Sequence, residues 1–178
     1  SLPSGYEEII FSPNTNNSVY SFSGVPMPIG ESDTVLFNDQ LPITSTTSID
    51  DGENNINQND PITIQFDDEV WVPGPPAAKA TKEDLDALFI LKNESSGSTL
   101  VAGEDYISVL DTVNNIYTIY PLEAYPSEET ITYTFIGVLQ DASGNEIELN
   151  YNSTFTIQDY NPPQINASSL ALNDSFID

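Results

Sequence analysis

The stretch Ile131-Thr-Tyr-Thr-Phe-Ile-Gly-Val138 decides the fold. Its apolar and polar residues alternate, so one set of side chains faces a core and the other faces water, as in a half-buried β-strand. Pro61-Ile-Thr-Ile-Gln-Phe66 alternates in the same way, and Glu146-Ile-Glu-Leu-Asn-Tyr151 runs on to Phe155-Thr-Ile157. Shorter strand candidates are residues 69–72, 89–91, 106–109 and 116–120. Turn chemistry separates them at Asp51-Gly52, Ser96-Gly97, Tyr125-Pro126 and Ser143-Gly144-Asn145. Many short strands punctuated like this predict an all-β antiparallel sandwich. One short helix is expected, because Thr81-Lys-Glu-Asp84 reads as an N-cap followed by an acidic first turn, with Leu85 and Leu88 on one face. Pro73-Gly-Pro-Pro76 before it reads as an exposed, stiff connector.

Part of the deciding stretch occurs twice. Tyr133-Thr-Phe-Ile-Gly-Val138 is matched by Tyr20-Ser-Phe-Ser-Gly-Val25. Phe155-Thr-Ile-Gln-Asp-Tyr-Asn-Pro162 is matched by Val35-Leu-Phe-Asn-Asp-Gln-Leu-Pro42, and Tyr117-Thr-Ile-Tyr-Pro121 by Ile9-Ile-Phe-Ser-Pro13. Collinear matches of this kind predict a tandem array. Residues 1–38 then read as the C-terminal part of a preceding module, 39–159 as a complete sandwich, and 160–178 as the start of a following module. The two flanking pieces are each too short for a sandwich of their own.

Composition narrows the function classes. The chain has 28 acidic residues against three lysines (Lys79, Lys82 and Lys92), with no arginine, and a formal net charge of -25. That charge excludes nucleic-acid phosphate as a partner by any ordinary route and disfavours anionic membrane surfaces. Cysteine and histidine are both absent. Disulfides, thiolate catalysis and Cys- or His-ligated metals are therefore excluded, as is the commonest general base. No stretch has the length and apolarity of a membrane-spanning helix, so no direct membrane insertion is expected.

Several of these segments together resemble a known family. Pro61-Ile-Thr-Ile-Gln-Phe-Asp-Asp-Glu-Val70 is similar to its opening strand, Asp84-Leu-Asp-Ala-Leu-Phe-Ile-Leu91 to its short helix leading into a strand, and Tyr133 to Asn145 to its hairpin, closed by Ser-Thr-Phe-Thr-Ile157. The family is the bacterial Ig-like domain of the S-layer type. The resemblance implies an immunoglobulin-like sandwich on a secreted or cell-surface, adhesin-like protein. It implies a structural spacer with no catalytic residues, whose partners are neighbouring Ig-like repeats and, beyond them, surface glycans or proteins.

Carboxylates are the abundant chemical groups. Adjacent pairs such as Asp67/Asp68 point to opposite faces of a strand and do not converge as an acid–base pair. Calcium suits oxygen ligands on converging loops better. An Ig-type chain path brings Asp39, Asp67, Asp68, Glu69, Asp141 and Asn145 to the end where the chain comes in, and places Asp159 at the next junction. These seven are the candidate calcium ligands. The same Asp-x-x-Gly-Asn text also reads as a plain hairpin turn. Trp71 is the candidate for a binding patch, with Tyr125 or Tyr151 as platform partners; this is the mark of the alternative reading, a carbohydrate- or ligand-binding module of an exported enzyme. Asn16, Asn93, Asn152, Asn166 and Asn173 head N-x-S/T sequons, and Asp33-Thr-Val, Asp111-Thr-Val and Asp174-Ser-Phe resemble a short bacterial O-glycosylation motif.

Overall fold

The computed structural model describes residues 3–5, 7–15 and 19–164. The sequons at Asn16, Asn166 and Asn173, the Asp174 motif and most of residues 160–178 lie outside them.

Near the N-terminus, β1 (Glu8–Phe11) pairs antiparallel with β2 (Asp33–Leu36), and every residue of these two strands is exposed. The sandwich follows. Its first sheet holds β3 (Ser45–Thr47), β5 (Ile62–Phe66), β10 (Tyr106–Asp111) and β11 (Ile116–Pro121) in the spatial order β3-β5-β11-β10, all antiparallel. In the second sheet, β4 (Asn54–Ile56) lies beside β13 (Glu146–Ile157), which pairs with β12 (Thr130–Gln140). Then come β8 (Phe89–Asn93) and β9 (Ser98–Leu100). A flap of β6 (Trp71–Val72) and β7 (Ala78–Lys79) joins β12 where Trp71 pairs with Gln140. With α1 (Lys82–Asp86) after the flap, this is an immunoglobulin-like sandwich carrying one short helix.

The alternation read from sequence builds the core. Ile62, Ile64 and Phe66 face inward from one sheet, and Ile131, Tyr133, Phe135 and Leu139 from the other. Phe89 stacks on Tyr133 and Tyr117 on Phe135, with ring centroids 6.0 and 5.9 Å apart. Gly137 breaks the inward series on β12, and Leu88, following α1, occupies that space: a Cβ on Gly137 would sit 2.7 Å from Leu88 Cδ2. The Thr81 hydroxyl and the Asp84 carboxylate form the expected capping box at the start of α1.

The path fixes two opposite ends. The chain comes in near Asp39, runs through β3 in one sheet, crosses over and pairs parallel with β13 through β4. It leaves after Ile157. From Gln140 to Thr130 the sheet spans ten residue steps, about 33 Å at strand rise. The Asp141–Asn145 turn marks the leading end and the Tyr125–Glu129 loop the trailing end.

Of the matched pairs of text, residues 9–11 and 35–36 are strand like their counterparts at 117–121 and 155–157, but one pair takes different local structures. Tyr133–Val138 is a strand between β13 and β8. Tyr20–Val25 is a turn, closed by Ser21 N–H to the Val25 carbonyl at 2.8 Å, with Gly24 at φ +80°. Inward residues on β12 are held by neighbours on both sides; residues 20–25 have no such strands beside them among the described residues, so Ser–Gly turn chemistry prevails.

Candidate functional site

The leading end gathers most of the carboxylates singled out in the sequence. Asp67 follows β5 and clamps the start of β3: its Oδ1 accepts from Thr44 N–H at 2.6 Å and its Oδ2 from the Thr44 hydroxyl at 2.7 Å. Asp68 Oδ1 accepts from Glu69 N–H, and Asp39 Oδ1 from Leu41 N–H at 2.9 Å. Asp39, Asp67 and Asp68 line one open cavity of about 200 Å³ together with Ser4, Leu41 and Pro42.

Asp141 is the buried member, at 1% exposure. Its Oδ1 accepts from Ser143 and Asn145 N–H, each at 2.8 Å, and its Oδ2 accepts from Asn145 Nδ2 at 2.6 Å. The same Asn145 amide donates to the Asp39 carbonyl at 3.1 Å. Glu69 is drawn away toward the flap, where it accepts from Trp71 Nε1 at 2.9 Å and pairs with Lys79. The Lys79 bond, opposed by slight desolvation and aided by the indole, holds the Glu69 carboxyl below the usual range. Asp159 stands at the trailing end, accepting from Asn161 N–H at 2.8 Å and the Ser127 hydroxyl at 3.2 Å.

Five of these six carboxylates thus accept from a backbone N–H with one oxygen, Glu69 being the exception. Among the described residues no group of three or more Asp or Glu side chains stands in an arrangement that could hold a metal ion.

The aromatic platform expected around Trp71 does not assemble. Trp71 is half-buried, with its indole N–H committed to Glu69. Tyr125 is buried at the trailing end, and Tyr151 is half-buried with its hydroxyl donating to the Ser45 carbonyl at 2.9 Å. Trp71 and Tyr125 sit at opposite ends because one borders Gln140 and the other precedes Thr130. Asn93 is buried, and its side-chain oxygen accepts from Ser96 N–H. Asn152 is exposed on β13.

One polar cluster went unseen in the sequence. Asp86, at the end of α1, accepts from the Ser108 hydroxyl on β10, the Tyr117 hydroxyl on β11 at 2.6 Å and Lys82 Nζ at 2.6 Å. Burial alone would raise the Asp86 pKa, but the Lys82, Ser108 and Tyr117 bonds outweigh it and hold the carboxyl below the usual range. Burial and the neighbouring carboxylate push the Tyr117 hydroxyl up, so it remains a donor. The only sequence sign was the Lys82–Asp86 spacing, one helical turn apart. The cluster ties α1 to the first sheet.

In comparison with protein families, a model described as a bacterial Ig-like domain matches residues 38–157. Comparison with the curated proteins gives no match.

Proposed function

The chain belongs to the bacterial Ig-like domain family, and from that premise we propose that it works as a load-bearing spacer in a repetitive surface or secreted protein of the adhesin type. The family fits a structural, surface-associated role and is in general non-catalytic. One observation supports the mechanical reading most. The chain enters and leaves at opposite ends, and β4, which follows β3 on the incoming side, runs parallel to β13, the last strand before the chain leaves. Pulling along this axis loads their bonds in shear. Those bonds are Thr156 N–H to Glu53 O at 3.0 Å and Gln158 N–H to Ile56 O at 2.9 Å, flanked by Gly52 N–H to Thr154 O at 2.7 Å. Bonds sheared together resist more than bonds opened one by one.

The tandem array and the S-layer-type, extracellular setting are finer parts of the same proposal, supported by the repeated Asp-x-x-Pro text at 39–42 and 159–162. A calcium clamp at the junctions belongs there too. It requires Asp39 and Asp68 to turn toward an added ion, since the carboxylates are engaged in turns without one.

Single-molecule pulling from the two termini tests the proposal. We expect one cooperative event releasing roughly 390 Å of chain, the extended length of about 120 residues less the folded span. Repeating it with calcium measures the clamp as a rise in unfolding force. Stepwise opening at low force would refute the spacer; glycan binding lost in Trp71→Ala would favour the accessory-module alternative.

A further inference from the structure

We propose that the Asp141–Asn145 turn is an orientation latch for the segment preceding the sandwich. This rests on the spacer reading and adds to it how the direction of the incoming chain is set. Asn145 Nδ2 carries two hydrogens, and both are used: one goes to the buried Asp141 carboxylate at 2.6 Å, the other to the Asp39 carbonyl at 3.1 Å. The carboxylate holds the amide in a single rotamer, aimed at the linker, and is itself held by Ser143 and Asn145 N–H. A terminal amide torsion is otherwise broad, so this second contact makes the first directional.

The linker is built to receive it. Asp39 Oδ1 caps Leu41 N–H, which locks the local turn and turns the Asp39 carbonyl toward Asn145. Residues 3–5 and 7 lie back along residues 37–40 as a strap, with Gln40 N–H to the Pro3 carbonyl at 2.8 Å and Phe37 N–H to the Glu7 carbonyl at 3.1 Å. Gly5, at φ +80°, lets the strap press on Asp39: a Cβ there would lie 3.0 Å from the Asp39 Cβ. The orientation of the strap and the β1–β2 hairpin is therefore transmitted through Asp39. At the other end Asp159 repeats the linker half of the device, its Oδ1 capping Asn161 N–H at 2.8 Å. The partner that Asp159 fits is another Ig-like module offering an asparagine amide from its own hairpin turn.

The absence of cysteine makes the test direct. Spin labels on Glu8→Cys in β1 and Thr99→Cys in β9 report the hairpin-to-sandwich distance by pulsed electron resonance. We expect one narrow distribution in the parent chain and at least a twofold broadening in Asn145→Ala. Asn145→Ser, a turn-compatible residue too short to reach Asp39, should broaden it equally if Asn145→Ala folds poorly. Gly137→Ala, which stresses the core against Leu88 and touches none of the linker's hydrogen bonds, should leave the width unchanged. Unaltered widths in both Asn145 variants, or equal broadening in Gly137→Ala, would overturn the latch. The pulling experiment reads the sandwich itself, so failure of the latch leaves that result standing.

Discussion

Removing the Asp86 carboxylate should cost far more than its place on the surface of a five-residue helix suggests. Its side chain retains 21% of its exposure, and it accepts from three donors. Lys82 is 39% exposed, so that ion pair contributes under about 1 kcal/mol. The Tyr117 bond is different, because the Tyr117 side chain is fully buried and its hydroxyl keeps a donor that needs an acceptor. A hydrogen bond to a charged group contributes about 1.5–3 kcal/mol, and a buried donor left unpaired costs about 1–3 kcal/mol. Asp86→Ala should therefore destabilise the sandwich by about 2–4 kcal/mol, against under about 1 kcal/mol for Lys82→Ala, both read from urea unfolding. The pH dependence has a definite sign. Asp86 titrates lower in the folded than in the unfolded state, so its stabilisation is full above the ordinary aspartate pKa of about 3.9 and is lost as pH falls through the folded value. The gap between the parent chain and Asp86→Asn should be open at pH 6 and close below about pH 4. Equal costs for Asp86→Ala and Lys82→Ala, or a gap that persists in acid, would refute this account.

Gly137→Ala should lower stability by about 1–2 kcal/mol, because the new methyl meets three atoms of Leu88 within 3.3 Å at a position with no strain to relieve. Pairing it with Leu88→Ala in a double-mutant cycle should recover part of the loss; strict additivity would mean that the crowding is not the cause. Tyr133→Phe removes a buried bond from the Tyr133 hydroxyl to the Ile49 carbonyl at 2.8 Å, in the crossover between β3 and β4. It should cost about 1–2 kcal/mol and lower the unfolding force, and an unchanged denaturation midpoint would contradict that role.

The parts of the fold legible in the sequence are those where one sheet face is wet. Ile62–Phe66 and Thr130–Gln140 alternate because each second side chain meets the other sheet. The edge strands β3, β4 and β9 escaped, since Ser45–Thr47, Asn54–Ile56 and Ser98–Leu100 are three residues long and mostly polar. Their stability comes from pairing with β5, β13 and β8, which no local pattern records. The candidate site divides likewise. Which loops share an end follows from strand direction alone. That Asn145 reaches a carbonyl 106 residues earlier, or that Asp86 finds Tyr117 across the sandwich, depends on rotamers set by packing.

The acidity itself takes on a different meaning once the hydrogen bonds are placed. A net charge of -25 suggests a cation as the missing partner. Yet Asp39, Asp67, Asp141 and Asp159 each accept a backbone N–H at a bend of the chain, and Asp111 accepts two, from Val113 and Asn114, in the β10–β11 turn. The Asn114 side chain first, and then these backbone bonds, hold the Asp111 carboxyl below the usual range. The Thr81 hydroxyl and backbone do the same for Asp84 at the helix cap. An aspartate in such a turn serves through its short reach and its two acceptor oxygens, and its charge comes with the geometry. Much of the negative charge is therefore tied to the turns that let short strands reverse. Screening by diffuse counterions relieves the remaining repulsion without undoing the turns.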